Sequence, residues 1–227
     1  MRYASVLALM VFVAVLEAQE GSATLPSNYR VQFENAWVKV TAVRYEPLQQ
    51  LPGHTHTPNP SAYVYLNDGP AVKFRHIGGP NTVATRPATR TGAFRVYRGL
   101  DEVHAVENTG NLPSEFLRVE LKTASVDPAT FRGKYERPAA ASAQPSIEFD
   151  HPQLRISRVW AQPGQEIEIA ASGEPVLLIA LADGAELRTG QERWVPASNV
   201  VRVRNSGPAA IDFLRFDFKT RPAGTGQ

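Results

Sequence analysis

His54 and His56 stand one residue apart in Pro52-Gly53-His54-Thr55-His56, and His104 opens the later stretch His104-Ala105-Val106-Glu107-Asn108. Successive side chains of a β-strand leave on opposite faces, so an H-x-H pair on a strand aims both imidazoles the same way. Two imidazoles on one face are costly to desolvate unless something binds their nitrogens, and a third histidine completes a facial set for one metal ion. His54, His56 and His104 are therefore the candidate metal ligands. The other two of the five histidines, His76 and His151, are read singly as hydrogen-bonded core or surface groups. The chain contains no cysteine, which removes disulfides, thiolate nucleophiles and Cys-ligated zinc, so any metal must take nitrogen and oxygen ligands.

The elements that must hold these residues read as strands. Arg30-Val31-Gln32-Phe33 and Val38-Lys39-Val40-Thr41-Ala42-Val43 alternate polar and apolar, Asn67-Asp68-Gly69 and Ala182-Asp183-Gly184 are hairpin-type turns, and 18 prolines interrupt any helical period. An all-β chain is expected. Asp127 to Arg137 reads as one helical turn or an extended crossover, and Arg137 to Pro145 as a linker, so residues 124–146 divide the mature chain nearly in half.

The chain has 227 residues, 43% of them hydrophobic, enough for one large or two small domains. Its 24 basic and 22 acidic residues are interspersed, with a net charge of +2, which makes nucleic acid a poor candidate partner. At the N-terminus Arg2 precedes an apolar run from Tyr3 to Leu16 that Glu17 ends, with Ala18 or Ala23 as cleavage positions. Residues 1–18 are read as a signal peptide, too short to span a bilayer comfortably, which places the mature protein in a periplasm or outside the cell with no stable membrane insertion after cleavage. An uncleaved anchor or a buried first strand is the competing reading.

Two internal offsets relate the halves. Val31 to Glu34 and Val38 to Val43 align with Ile147 to Asp150 and Leu154 to Val159, and Pro47 falls on Pro163 at the same offset. Asn108-Thr-Gly110 and Phe116 to Thr123 recur as Asn205-Ser-Gly207 and Phe213 to Thr220 at a second offset, shortened by a deletion. The repeat implies two β-barrel or sandwich units of the same strand order, packed on each other.

The H-x-H pair and the later H-x-x-x-N, carried here by His54, His56, His104 and Asn108, resemble the two motifs of the cupins in a two-domain, or bicupin, arrangement. The resemblance covers residues 28–123 by motif and 147–220 through the repeat. It implies two tandem jelly-roll β-barrels: an N-terminal unit over 26–123 with the metal site, and a degenerate C-terminal unit over 147–220. The motif's glutamate ligand would stand near Pro60 or Ser61, neither of which replaces a carboxylate. At the repeat offsets the twin positions of the histidines hold Ala170, Ser172 and Val201, so the second unit is expected to bind no metal.

Three neutral imidazoles leave coordination positions open for water, substrate or dioxygen, and Fe(II) is the first choice, with manganese, nickel or zinc as substitutes. Such a site resembles those of certain thiol and β-diketone dioxygenases within the cupins. The resemblance implies a non-haem iron dioxygenase acting on a small organic molecule, with Tyr63, Tyr65 or Arg75 near the substrate. For the tyrosines the strand leaves two phases open: either they face inward, or Ala62, Val64 and Leu66 do. Arg75 and His76 face opposite ways; one of them either lines the cavity or is only a surface or structural group. A non-catalytic periplasmic small-ligand-binding protein is the alternative function, and a structural metal clip a third. Cupins often dimerise through their sheets, so a homodimer is an expectation that the internal repeat could satisfy within one chain.

Overall fold

The computed structural model describes residues 25–78, 82–184 and 186–222; the expected signal peptide lies outside them. Every regular element among the described residues is a strand. The first half carries β1 (Tyr29–Glu34), β2 (Val38–Tyr45), β3 (Gln50–Thr55), β4 (Ser61–Tyr65), β5 (Val72–Ile77), β6 (Val83–Arg86), β7 (Phe94–Tyr97), β8 (Val103–Asn108), β9 (Ser114–Leu121) and β10 (Arg132–Tyr135). The second carries β11 (Ser146–Asp150), β12 (Leu154–Ala161), β13 (Glu166–Ala170), β14 (Val176–Ala180), β15 (Glu192–Val195), β16 (Val200–Arg204) and β17 (Ile211–Phe218).

These strands form four open sheets: β1-β2-β9-β4-β7-β10, β3-β8-β5-β6, β11-β12-β17-β14-β15 and β13-β16. The all-β expectation holds, but the expected jelly-roll barrels do not, because no sheet closes on itself. Alternation along a strand reports which side chains face inward. It carries no information on whether the edges of two facing sheets meet in hydrogen bonds. Within 124–146, a turn at Asp127 to Thr130 leads into β10, which pairs with β7 and extends the six-stranded sheet.

The six-stranded sheet is buried on both faces, and this positions the site. From β2, β4, β7 and β9, the side chains of Val38, Val40, Ala62, Val64, Phe94 and Leu117 enter a core shared with Leu154, Ile156, Leu177, Ile179, Leu214 and Phe216 of the second half. On the opposite face Val43, Tyr45, Tyr65 and Phe116 meet Leu51, Val72 and Val106 of the four-stranded sheet. A strand apolar on one side and mixed on the other thus has no solvent face, which is why its pattern left the phase of Tyr63 and Tyr65 open. The duplication appears in the strand order, since β1-β2-β9-β4-β7 and β11-β12-β17-β14-β15 run alike. A bulge recurs as well, at Val31/Phe33 and again at Ile147/Phe149.

Candidate metal centre

The four-stranded sheet builds the site. His54 on β3 pairs across to His104 on β8, which pairs in turn with His76 on β5, so one cross-strand row carries three histidines. His56 follows just past the end of β3. A bulge between Leu51 and His54 inserts one residue into β3, and it lets Leu51 and His54, three apart, share the inner face. The potential ligand atoms of His54, His56 and His104 all lie within 4.8 Å of one another. His54 and His104 are buried, and His56 is partly exposed.

Each ring is held in a definite state. His54 Nδ1 lies 2.9 Å from the carbonyl oxygen of Pro52. A carbonyl only accepts, so Nδ1 carries the proton and Nε2 presents its lone pair. Tyr29 Oη, 2.9 Å from that Nε2, therefore donates to it, and Tyr45 Oη, 2.7 Å away, donates to Tyr29. His104 Nδ1 is 3.2 Å from Glu102 Oε1, and the other carboxylate oxygen lies 3.2 Å from His76 Nε2. Burial first, and then neighbouring positive groups, hold His56 down to about 2 and His104 down to about 3. His104 is thus neutral, and its contact with Glu102 is a hydrogen bond rather than an ion pair. Burial also lowers His54, partly offset by the Pro52 carbonyl. His56 Nδ1 is buried with no hydrogen-bond partner.

Neutral rings, a backbone or carboxylate acceptor behind two of them, and an orphaned nitrogen on the third fit a metal-ligating trio. Glu102 stands where sequence reasoning missed a carboxylate, behind a histidine instead of beside it. Asn108 makes no contact with the histidines. Its Nδ2 donates to the carbonyls of Glu46 and Leu112 at 2.8 and 2.9 Å, and its Oδ1 accepts from Gly110 N, so it clamps a turn.

A cavity of about 300 Å³ opens beside the histidines. Tyr63 lines it, with Tyr29, His56, His104, Arg95 and Arg118. Tyr65 lies under Arg86, whose guanidinium carbon is 5.1 Å from its ring centroid. Arg75 is exposed on the outer face of its sheet, while His76 lines the cavity. Tyr29, Arg86, Arg95, Arg118 and Glu102 were not singled out from sequence. They come together from four strands, β1, β6, β7 and β9, and the loop before β8, and only the repeat of Arg118-x-Glu120 as Arg215-x-Asp217 hinted at a patterned charged face.

In the second half β13 pairs with β16 without a bulge, so Ile169 opposes Val201. By this pairing the twins of the three histidines are Ile169, Ala171 and Val201, one residue off the sequence offset for the first two. Ile169 and Ala171 are buried in an apolar core with Val201 packed on it. The expected Ala170 and Ser172 are exposed.

No protein-family model and no curated protein matches the chain. Solved structures do. The bacterial pirin YhhW from Escherichia coli in complex with nickel(II) shares 12% identity at a TM-score of 0.60, over 91% of this chain and 97% of that one. A Cupin 2 conserved barrel domain protein from Leptotrichia buccalis shares 10% at 0.50, over 87% and 92%. The fold is cupin-like. The salicylate 1,2-dioxygenase from Pseudaminobacter salicylatoxidans aligns at 12% identity and 0.50, over 80% of this chain and 71% of that one. Identities this low carry the cupin-like fold alone.

Proposed function

We propose that the chain is an exported, metal-dependent cupin enzyme, a non-haem iron oxygenase acting on a small organic molecule, built as a bicupin whose N-terminal unit alone holds metal. The observation that carries this reading is the convergence of His54, His56 and His104 as neutral imidazoles beside a cavity of about 300 Å³ that His56 and His104 line. Structures of similar fold include one with nickel(II) and a salicylate dioxygenase.

The three histidines would hold the ion, and Fe(II) there would supply the one-electron chemistry that dioxygen requires. The chain's own groups do the rest. Pro52 and Glu102 fix two ring tautomers, and Tyr29, backed by Tyr45, holds the His54 Nε2 lone pair until a metal takes it.

The test is elemental analysis of tag-free protein, followed by reloading of metal-free protein with iron, manganese, nickel or zinc. A near-stoichiometric transition metal that is lost in His56→Ala and His104→Ala is expected. Binding of less than about a tenth of an equivalent under all loadings would sink the metal reading. Oxygen uptake over a panel of thiols, diketones and phenolics then tests the enzyme; metal without uptake would leave a binding protein. Export is checked by the N-terminal sequence of the mature protein from cell fractions.

A further inference from the structure

The cavity is lined by more positive charge than the protein itself neutralises, with Arg95 and Arg118 on the six-stranded sheet and Arg86 on β6 of the sheet that carries the histidines. Arg118, Tyr63 and Arg95 form one cross-strand row on β9, β4 and β7, all on the cavity face. Arg118 is satisfied: it sits 3.3 Å from Glu120 and donates to the Thr57 carbonyl and Ser61 Oγ. Arg86 and Arg95 are not. Neither forms an ion pair among the described residues, and the Nε of each is buried without a hydrogen-bond partner. Arg86 is 6% exposed, with one donor on Ser114 Oγ at 2.6 Å, a side-chain hydrogen bond to Tyr65, and its Cζ 5.1 and 5.4 Å from the ring centroids of Tyr65 and Phe116. Arg95 lies flat on Tyr63 at 4.5 Å. The carboxylate that lines the cavity on the histidine side, Glu102, is engaged by His76 and His104.

A guanidinium withdrawn from water without a counter-ion is expensive, and Arg86, buried, with Arg95, half-buried, beside one cavity fit an anion supplied from outside. Their planar donors match a carboxylate. The remaining walls, from Phe74, Tyr63, Tyr97, Leu100 and Phe116, fit a flat apolar body, and the volume limits it to a small molecule. We propose that the cavity takes a small aromatic or unsaturated carboxylate, with its carboxylate between Arg86 and Arg95. This rests on the cavity being the substrate site, but not on the metal.

Calorimetry on the metal-free protein tests it with benzoate, its neutral analogue benzamide, phenylacetate, cinnamate and inorganic phosphate. At least one carboxylate should bind, with benzamide and phosphate about tenfold or more weaker than the best of them. Arg95→Gln and Arg86→Gln should each weaken binding about tenfold, and Arg86→Lys should recover part of the loss. Arg95 is only partly buried, so its variant keeps the test available if Arg86→Gln does not fold. Carboxylate binding by the metal-free protein, whether or not that protein takes up metal on reloading, separates this inference from the metal reading. Benzamide binding as tightly as benzoate, phosphate binding as tightly as any carboxylate, no heat from any of the three carboxylates, or Arg95→Gln without effect would each overturn it.

Discussion

Tyr29 decides how the histidine trio behaves before any metal arrives. Its hydroxyl occupies the lone pair of His54 Nε2, the atom that Pro52 leaves free for a ligand bond. Burial, reinforced by Tyr45, raises its pKa well above the ordinary phenol value, so it is a neutral donor there. A metal on Nε2 must displace that hydrogen bond, worth about 1 kcal/mol net. Tyr29→Phe should therefore bind metal roughly fivefold more tightly in a chelator competition. Weaker binding would instead make Tyr29 a ligand. The buried rings also give the metal-free protein an acid sensitivity. His56 and His104 are lowered from 6.5 to about 2 and about 3, so below pH 6.5 the unfolded chain takes up protons that the folded one refuses. Stability is then full above pH 6.5 and falls toward pH 3, by about 1.4 kcal/mol per pH unit for each ring. Urea unfolding of metal-free His56→Gln between pH 6 and pH 4 should show a slope shallower by that amount; an unchanged slope rejects it.

At the level of strands and turns, the two asparagines of the repeat do the same work. Asn205 donates to the carbonyls of Ala161 and Ala209 at 2.9 and 2.7 Å and accepts from Gly207 N, as Asn108 does with Glu46, Leu112 and Gly110. Both are buried, and each closes the turn after its strand. Asn108→Ala and Asn205→Ala should each cost about 2–3 kcal/mol in urea unfolding, by orphaning buried backbone groups. Asn108→Ala should retain full metal content; loss of metal would return Asn108 to the site. This equivalence was legible from Asn-x-Gly at a fixed offset, as were the histidine trio, because local spacing carries it. The bulge in β3 was not legible, and it moved two of the twin positions from Ala170 and Ser172 to Ile169 and Ala171. Nor was the arginine cluster, since Arg95 and Arg118 meet through strand register and Arg86 joins them from the facing sheet, and a strand such as Phe116 to Leu121 reads as half-solvated when both its faces are covered.

Across the whole molecule, the two halves are joined by more than a tether. Their larger sheets share one apolar core, in which the rings of Trp37 and Trp194 approach to 6.4 Å. A buried ionic knot crosses the same contact. Arg158, fully buried, binds Asp212 at 2.7 Å, Glu148 at 2.6 Å and the carbonyl of Gly92 in the first half. Arg137 closes on the same carboxylate at 2.7 Å. Removing the shared acid strands two guanidiniums with only Glu148 nearby, and breaking a buried pair from one side costs about 3–5 kcal/mol. Asp212→Ala should lose that much in urea unfolding. An Arg158→Met/Asp212→Leu pair, which leaves no uncompensated charge between them, should lose less. Because the core is continuous, tryptophan fluorescence and far-UV circular dichroism should report one coincident transition in the wild type. A loss below about 1 kcal/mol for Asp212→Ala would show that Glu148 alone neutralises Arg158, and two separated transitions would show that the halves fold independently despite their common core.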